Sequence, residues 1–370
     1  MYGIGIGIGE SDFRGLRIRK NYYIDKTMYI KDIIDNEASV LLVTRPRRFG
    51  KTLNMSMLKY YFDCTKKDSK ELFDGLKIME QEEKYTSKLG YYPCIYITLK
   101  DVNEDTYEKM ILNMKTAMLN TYKEHMYLLD SDKIYPFEKE KINDILYFRE
   151  DEVTLKNSIK DLSEYLSRYY DKPVMLFLDE YDVPLQNAYI EGYYQEAIKF
   201  FKTFYGTTFK DNPYLEKTVL TGVSRVAKES IFSGANNFDV YTVLDDEFSD
   251  DFGITEKEMN KVIKDFEVED QKEEIKKWYD GYHFGAFDVY CPWDVMNYLL
   301  ELQRNPKAKP ISYWKNTSDN AIIRSFIDYA GSTITNKLET LMAGGCIVQR
   351  VDENLTYDYL HSSEDNLWSI

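Results

Sequence analysis

Short apolar runs alternate with amphipathic stretches along the first 225 residues of the chain. Residues 40–43 and 174–178 contain only Val, Leu, Met and Phe, and each run is too short for a helix. Such runs are typical of strands that are buried on both faces. Residues 92–99 and 218–223 predict two more strands. Strands that alternate with helices predict an α/β fold with a parallel sheet, helices on both faces and ligands at the carboxyl edge.

Helical periodicity fills the intervals between these strands. A helix is expected from about residue 53 to 62, and residues 101–170 look largely helical. The clearest helix there ends at Asp171-Lys172-Pro173 and has one apolar face, made of Leu155, Ile159, Leu162, Leu166 and Tyr169. A further helix is marked by Ala197, Phe200, Phe201 and Phe204.

The pattern changes beyond about residue 245. Thr255 and Glu258 have the spacing of a capping box at a helix start. The aromatic and glycine-rich residues 278–285 could stack on bases, but no basic residues are interleaved with them. We therefore favour a packed hairpin or turn in the core of a small helical domain. The predicted organisation is residues 1–245 as one domain, with a helical insertion at about 101–170, and residues 246–370 as a smaller, mostly helical, lid-like or winged-helix-like region.

Residues 44–52, Thr-Arg-Pro-Arg-Arg-Phe-Gly-Lys-Thr, lie between a predicted strand and a predicted helix. This is the context of a phosphate-binding P-loop, in which loop amides and a Lys ammonium contact phosphates and a Thr hydroxyl ligates Mg²⁺. Lys51 and Thr52 are the candidates for these two roles. Arg45, followed by Pro46, stands where the usual pattern has its first glycine.

The second buried strand ends in Asp179-Glu180. In P-loop NTPases such a strand lies beside the P-loop strand, its Asp holds Mg²⁺, and the following Glu can take a proton from the attacking water. An isolated Asp-Glu could also be a strand end that becomes polar at the surface, but an upstream P-loop disfavours that interpretation. The Glu indicates an ATPase with an additional strand, and Asp182 is the next candidate for the base.

A third polar strand end follows residues 218–223. This strand ends in Thr221, Ser224 and Arg225. In ATPases with an additional strand between the two nucleotide motifs, the polar residue at this strand end senses the γ-phosphate. Arg225 could stabilise charge during phosphoryl transfer, or it could be a surface arginine at the start of the next helix. Both interpretations of Arg225 remain open.

Charge is distributed unevenly along the chain. The net charge of −15 argues against a protein that coats nucleic acid with its whole surface. Residues 1–60, however, carry 11 Lys and Arg against 6 Asp and Glu. This basic end includes the P-loop candidate, so we expect it to attract polyphosphate. Nucleic acid stays possible as a partner, but overall charge does not support it.

Other sequence features indicate the cellular compartment in which the protein is expected. No run approaches the roughly 18 apolar residues of a membrane span, so no membrane association is expected, and no signal peptide is evident. The Gly-Ile repeat at residues 3–9 lacks the spacing of a dinucleotide fingerprint. The four cysteines are far apart, which implies neither a zinc site nor a disulfide framework. We therefore expect a cytoplasmic protein.

Several of these segments together resemble the bacterial AAA-ATPase-like proteins, which are relatives of archaeal and STAND-type P-loop ATPases and often carry a C-terminal PD-(D/E)XK nuclease domain. The matching segments are residues 22–27, 44–52, 177–182, 220–225, 230–234, 278–282 and 313–318. The resemblance covers nearly the whole chain. It also accounts for Arg45-Pro46, because the loop of this family has that form as a rule.

The resemblance implies a P-loop NTPase fold of the additional-strand, AAA-like type, with ATP and Mg²⁺ as cofactors. It implies that Lys51 contacts phosphate, that Thr52 and Asp179 serve Mg²⁺, and that Glu180 activates water. Arg47, Arg48, Phe49 and Gly50 complete the implied binding loop. The segment with Tyr23 and Asp25 corresponds to the stretch that borders the adenine in related ATPases.

The chain departs from longer members of this family near residue 370, where they continue into the nuclease domain. No Asp…Glu-x-Lys constellation follows a strand in the last hundred residues, so we expect no metal-dependent nuclease activity. Leu367 and Trp368 are apolar residues that could stay exposed or dock elsewhere, and an exposed end favours self-association.

Three functions follow from these patterns. The leading one is Mg²⁺-dependent ATP hydrolysis coupled to movement of the C-terminal helical region. The second is a nucleotide-dependent switch or interaction module with slow turnover. The third is an ATPase subunit of a nucleic-acid processing system, which rests only on what longer relatives carry.

Overall fold

The computed structural model of the chain describes residues 4–224, 238–314, 332–352 and 355–369. Its centre is a sheet of five parallel strands in the order β2-β3-β4-β1-β5. The strands are β1 (Val40–Thr44), β2 (Cys94–Thr98), β3 (Val174–Asp179), β4 (Leu215–Gly222) and β5 (Phe238–Tyr241). The predicted α/β class and the four predicted strands are confirmed. The fifth strand was not predicted.

The strand order places β4 between the P-loop strand β1 and the Asp-Glu strand β3. Gly222 of β4 pairs with Thr44 of β1, and Leu220 of β4 pairs with Leu178 of β3. The expectation that β3 lies directly beside β1 is therefore wrong. The inserted β4 agrees instead with the type of ATPase that has an additional strand.

Helices cover both faces of the sheet. The helices that precede residue 210 are α1 (Phe13–Ile18), α2 (Met28–Asp35), α3 (Lys51–Phe62), α4 (Glu83–Thr86), α5 (Tyr107–Lys123), α6 (Pro136–Leu146), α7 (Glu152–Tyr170), α8 (Val183–Glu191) and α9 (Tyr194–Phe209). Leu41 and Val43 of β1 belong to the core under α2 and α3, whereas Val40 and Leu42 belong to the core under α5, α7 and α9. Burial on both faces explains why β1 is apolar at successive positions.

The predicted helices of this region agree with the structure. In α7, Leu155, Ile159, Leu162 and Leu166 are fully buried. This helix is capped by Asp171, whose left-handed φ of 54° terminates the helical path before Pro173. The helix after the P-loop begins two residues earlier than expected, at Lys51.

The C-terminal part combines helices with a small antiparallel sheet. Its described elements are β6 (Ile254–Thr255), α10 (Glu256–Asp265), α11 (Lys272–Tyr279), β7 (Asp280–Phe284), β8 (Phe287–Tyr290), α12 (Pro292–Arg304) and α13 (Ser332–Met342). Thr255 and Glu258 form the predicted capping box. The aromatic and glycine-rich segment forms the β7–β8 hairpin, as we favoured. Phe284 of this hairpin, however, packs into the core of the large sheet.

The last described residues lie against the large sheet's helices. Leu355, Tyr357 and Leu360 are buried in the core that contains α8 and α9, and Leu367 packs against the same core. Trp368 is half-buried. Of the two expectations for Leu367 and Trp368, docking against the chain agrees with the structure. Among the described residues, none of the helices is long and apolar enough to cross a membrane.

Candidate nucleotide-binding site

The P-loop turns sharply from β1 into α3 at Gly50. Gly50 is the N-cap of α3 and has a left-handed φ of 86°, a conformation that glycine adopts without steric cost. The first intrahelical bond of α3 runs from the amide of Asn54 to the carbonyl of Gly50. The amides that precede Asn54 at this helix start lack intrahelical acceptors, which makes the N-terminus of α3 suited to an anion.

Lys51 lies under this loop with a buried side chain. Its ammonium donates hydrogen bonds of 2.9 Å to the carbonyl oxygens of Arg45 and Pro46. Burial lowers the pKa of Lys51, and the negative charges of Asp182 and Asp179 oppose that shift. Because an ammonium has three N–H donors, the two carbonyl bonds leave one donor for a phosphate oxygen.

Arg45 occupies the first position of the loop pattern without entering the cleft beside the loop. Its side chain is fully buried, and its guanidinium donates to the carbonyl oxygens of Thr44 and Phe248 at 2.8 Å and of Tyr241 at 3.2 Å. The guanidinium also lies 5.3 Å from the centre of the Phe252 ring. Burial lowers the pKa of Arg45 to about 10. An arginine is therefore compatible with this loop because its side chain leaves toward residues 241–252.

The remaining loop residues face two directions. Arg47 and Arg48 are half-buried and line the cleft. The guanidinium of Arg48 lies 3.9 Å from the centre of the Trp293 ring in α12, which is a cation–π contact. Phe49 also lines the cleft, and its ring packs edge-on against Tyr282 of the β7–β8 hairpin at 4.8 Å. The loop thus lines the cleft and also contacts the C-terminal part of the chain.

Asp179 and Glu180 end β3 on the carboxyl edge of the sheet. Asp179 is buried and accepts a hydrogen bond from the hydroxyl of Thr221 in β4. Glu180 has a left-handed φ of 57° and lines the cleft together with Thr52. Burial and then the charge of Asp179 raise the pKa of Glu180. The structure therefore brings Glu180, Thr52, Lys51 and Asp179 to one edge of the sheet.

Asp182 is a buried carboxylate that our prediction treated only as a substitute base. Its Oδ2 accepts hydrogen bonds from the amides of Val223 at 2.9 Å and Ser224 at 2.8 Å. Its Oδ1 is buried and has no hydrogen-bond partner among the described residues. Burial raises the pKa of Asp182. Asp182 thus connects the segment after β3 to the segment after β4. The sequence does not show this role, because the bonded residues lie 41 and 42 positions apart in the chain.

Three other predicted site residues are Ser224, Tyr23 and Arg225. Ser224 lies at the end of β4 and contacts Asp182 through its backbone amide, but Val223, not Ser224, lines the cleft. Tyr23 lines the cleft, and its hydroxyl lies 3.2 Å from the sulfur of Met57. Arg225 lies outside the described residues.

The structure does not place Asp25 beside the other candidate site residues. Its Oδ1 accepts hydrogen bonds from the amide and hydroxyl of Thr27, and its Oδ2 accepts one from the amide of Lys77. Asp25 is absent from the cleft lining, so its carboxylate fixes the turn before α2 against a neighbouring segment. The expected contact between Asp25 and a nucleotide has no geometric support.

The cleft has a volume of about 540 Å³ and extends from the P-loop to an apolar end. The lining of that end includes Ile6, Ile8, Tyr22, Ile24, Pro292, Trp293 and Met296. Our prediction gave no role to the opening Gly-Ile repeat. The amide of Tyr22 donates a 2.7 Å hydrogen bond to the carbonyl of Gly5, and a Cβ on Gly7 would lie 2.7 Å from Asn21. Small residues thus let the repeat lie close against residues 21–22 and form a wall of the cleft.

Oxygen ligands of the type that Mg²⁺ prefers are present at the phosphate end. Thr52 lines the cleft, and the Asp179 carboxylate lies close enough to affect the pKa of Lys51. The buried Oδ1 of Asp182 is a further oxygen without a hydrogen-bond partner among the described residues. This donor set fits Mg²⁺, for which Thr52 and Asp179 would be the protein ligands.

The sheet order, the loop and the Asp-Glu strand end define the P-loop NTPase class. A family model described as Predicted AAA-ATPase matches residues 6–232, more than half of the chain. The chain belongs to this AAA-ATPase-like family.

Two individual proteins are also similar to this chain. An uncharacterized protein in the vnfD 5' region of Azotobacter chroococcum mcd 1 is 26% identical over 339 residues, which cover 91% of this chain and 58% of that protein. The chain therefore spans less than two thirds of this relative. The Walker-type ATPase paby2304 of Pyrococcus abyssi is 14% identical with a TM-score of 0.43, over 88% of this chain and 77% of that structure.

Proposed function

We propose that the protein binds ATP in this cleft and hydrolyses it with Mg²⁺. The observation that carries the proposal is the position of Lys51. Its buried ammonium lies under a loop that begins a helix, and the carboxylates of Asp182, Asp179 and Glu180 are its main electrostatic neighbours. A cation between a helix N-terminus and several carboxylates is suited to a polyphosphate with a bound Mg²⁺.

The shape of the cleft supports a nucleotide and not only a phosphate. A triphosphate would contact the amides at the start of α3 and the ammonium of Lys51. The base would lie toward the apolar end, against Tyr23 and the wall that includes Ile8 and Trp293. Apolar walls with a few polar groups are typical of nucleotide pockets.

Glu180 is the proposed general base. Its carboxylate would accept a proton from water while the water oxygen bonds to the γ-phosphorus and the bond to the β–γ bridging oxygen breaks, so that ADP leaves with the electron pair. Mg²⁺, when bound, would neutralise charge on the β- and γ-phosphates. The raised pKa of Glu180 brings its basicity closer to what removing a proton from water requires.

Movement of the C-terminal part is the proposed consequence of nucleotide binding. Arg48 contacts Trp293 of α12, and Phe49 contacts Tyr282 of β7. A change in the loop on phosphate binding would therefore change contacts with two C-terminal elements. The same contacts would serve the second candidate, a nucleotide-dependent switch with slow turnover.

Turnover and its metal dependence test the proposal. Steady-state phosphate release would be measured with and without Mg²⁺ for the parent and for Asp179→Asn. We expect Mg²⁺-dependent hydrolysis that is blunted in the variant. A rate on the order of 1 per second or faster favours the motor, whereas a single turnover followed by a stable complex favours the switch. A purified parent that neither binds nor hydrolyses ATP would refute both.

A further inference from the structure

Lys100 lies in a fixed turn that follows β2. The amide of Val102 donates a 3.0 Å hydrogen bond to the carbonyl of Leu99, which closes a four-residue turn with Lys100 in a central position. Leu99 and Val102 are both buried. The two ends of the turn are therefore held in the core, while Lys100 is exposed.

Neighbouring helices also hold this turn in place. Asn113 of α5 donates a 2.8 Å hydrogen bond from its side-chain amide to the carbonyl of Asp101. Just after the turn, the carbonyl of Glu104 accepts hydrogen bonds from the side chain of Asn187 in α8 and from the hydroxyl of Tyr193. Such anchoring from two helices reduces the freedom of the backbone that carries Lys100.

The turn lies beside Glu180. Thr98 pairs with Asp179 in the sheet, and the amide of Leu99 donates to the carbonyl of Asp179 at 3.0 Å. Lys100 is the next residue along the chain, and both Lys100 and Glu180 line the cleft. Lys100 thus lines the cleft from β2, while Lys51 and Arg47 line it from the P-loop that follows β1.

The ammonium of Lys100 has neither an ion-pair nor a hydrogen-bond partner within the part of the chain that the structure describes. Most cations near this cleft are already engaged. Lys51 donates to two carbonyls, and Arg48 stacks on Trp293. An unengaged cation that lines a phosphate cleft next to the proposed base is suited to bind the phosphate nearest that base.

We propose that Lys100 binds the γ-phosphate of ATP and so distinguishes the triphosphate from the diphosphate. The inference rests on the proposed function, because it assumes that the γ-phosphate lies next to Glu180. The site would recognise the terminal phosphate of a nucleoside triphosphate and would have no partner in the diphosphate complex. Lys100 would then contribute to ATP affinity but not to ADP affinity.

Affinities for two nucleotides test this assignment. Dissociation constants for Mg–ADP and for the non-hydrolysable β,γ-imido analogue of ATP would be measured by calorimetry. The proteins would be the parent, Lys100→Gln, Lys100→Arg and a control, Lys202→Gln, which removes one exposed charge from α9. Lys100 is exposed, so the variants should fold, and thermal melting would verify this.

We expect Lys100→Gln to weaken binding of the analogue about tenfold or more, the effect of a lost charge-assisted hydrogen bond. Its affinity for ADP should stay within about twofold, Lys100→Arg should recover most of the loss, and Lys202→Gln should match the parent. Equal weakening for both nucleotides, or no weakening for either, would overturn the assignment while the proposed function stands. A parent that binds neither nucleotide would refute the assignment and the proposed function together.

Discussion

Arg45 of the P-loop donates a 2.8 Å hydrogen bond to the carbonyl oxygen of Phe248, a residue about 200 positions later in the chain. The two residues belong to one buried contact in which the guanidinium also donates to Tyr241 and lies over Phe252. The contact connects the loop to the segment that leads from β5 into the C-terminal part. In this protein the first loop position therefore serves as a structural link, where the usual pattern has glycine.

Replacing Arg45 with glycine should destabilise the protein. Arg45→Gly would remove several charge-assisted hydrogen bonds and leave buried carbonyls without partners, so we expect a loss of about 3 kcal/mol or more in the free energy of unfolding. Urea denaturation of parent and variant measures the difference. Arg149→Gly, which removes an exposed arginine between α6 and α7, should change stability by only about 0.5 kcal/mol. Equal stability of Arg45→Gly and the parent would contradict the structural role.

Lys51 should contribute mainly to nucleotide affinity. Lys51→Ala removes a charge-assisted contact to the phosphates, and we expect ATP binding to weaken by about 1.5–3 kcal/mol. Calorimetry on the folded variant gives this value directly, with Lys202→Ala as the exposed control. Unchanged ATP affinity in a folded Lys51→Ala protein would rule out the assigned role.

Acid should destabilise the protein partly through His125. Its side chain is buried, and burial lowers its pKa from 6.5 to about 4. Between these two values the unfolded chain binds a proton that the folded chain does not, so stability falls as the pH falls through this window. The linked loss is at most about 3 kcal/mol below pH 4.

Comparison with an exposed histidine isolates this effect. The free energy of unfolding would be measured from pH 7 to pH 4 for the parent, for His125→Gln and for His283→Gln, whose ring is exposed. We expect a shallower pH dependence for His125→Gln and the parental dependence for His283→Gln. Identical slopes for all three proteins would contradict the buried neutral state of His125.

The raised pKa of Glu180 predicts the acid limb of the hydrolysis profile. A base must be ionised to accept a proton, so kcat/KM should fall as the pH falls through the pKa of Glu180. Because burial and the charge of Asp179 raise that pKa, the fall should occur above pH 4.5, the usual pKa of a glutamate. A pH profile of kcat/KM measures its midpoint. An activity that stays constant down to pH 4.5 in a folded protein would argue against Glu180.

Continuous patterns made much of the fold predictable. β1 and β3 are buried on both faces, so their apolar runs identify them, and α7 is identified by four apolar residues at helical spacing. β5 was missed because its four residues are half-buried or exposed and lack either pattern. Its position at the sheet edge is fixed by pairing with β1, which a local pattern does not show.

The candidate site was predictable only where its residues form a motif. Lys51, Thr52, Asp179 and Glu180 belong to short segments whose spacing reflects their chemistry. The contact of Asp25 was not predictable in this way, because its hydrogen-bond partner Lys77 lies 52 residues later in the chain and leaves no local signal. The cleft wall at Ile6 and Ile8 was also not predictable, because the Gly-Ile alternation has the period of a strand but forms no strand in its described residues. Trp293, which lines the same cleft, lies far along the chain and leaves no local signal.

Replacement of Glu180 tests the central claim most directly. ATP binding and phosphate release would be measured side by side, with Mg²⁺ present, for the parent and for Glu180→Gln. The account predicts that the variant binds ATP as the parent does but releases phosphate at least about a hundredfold more slowly, the low end of a general-base contribution. Hydrolysis by Glu180→Gln at the parental rate would contradict the assignment of Glu180 as the general base of this cleft.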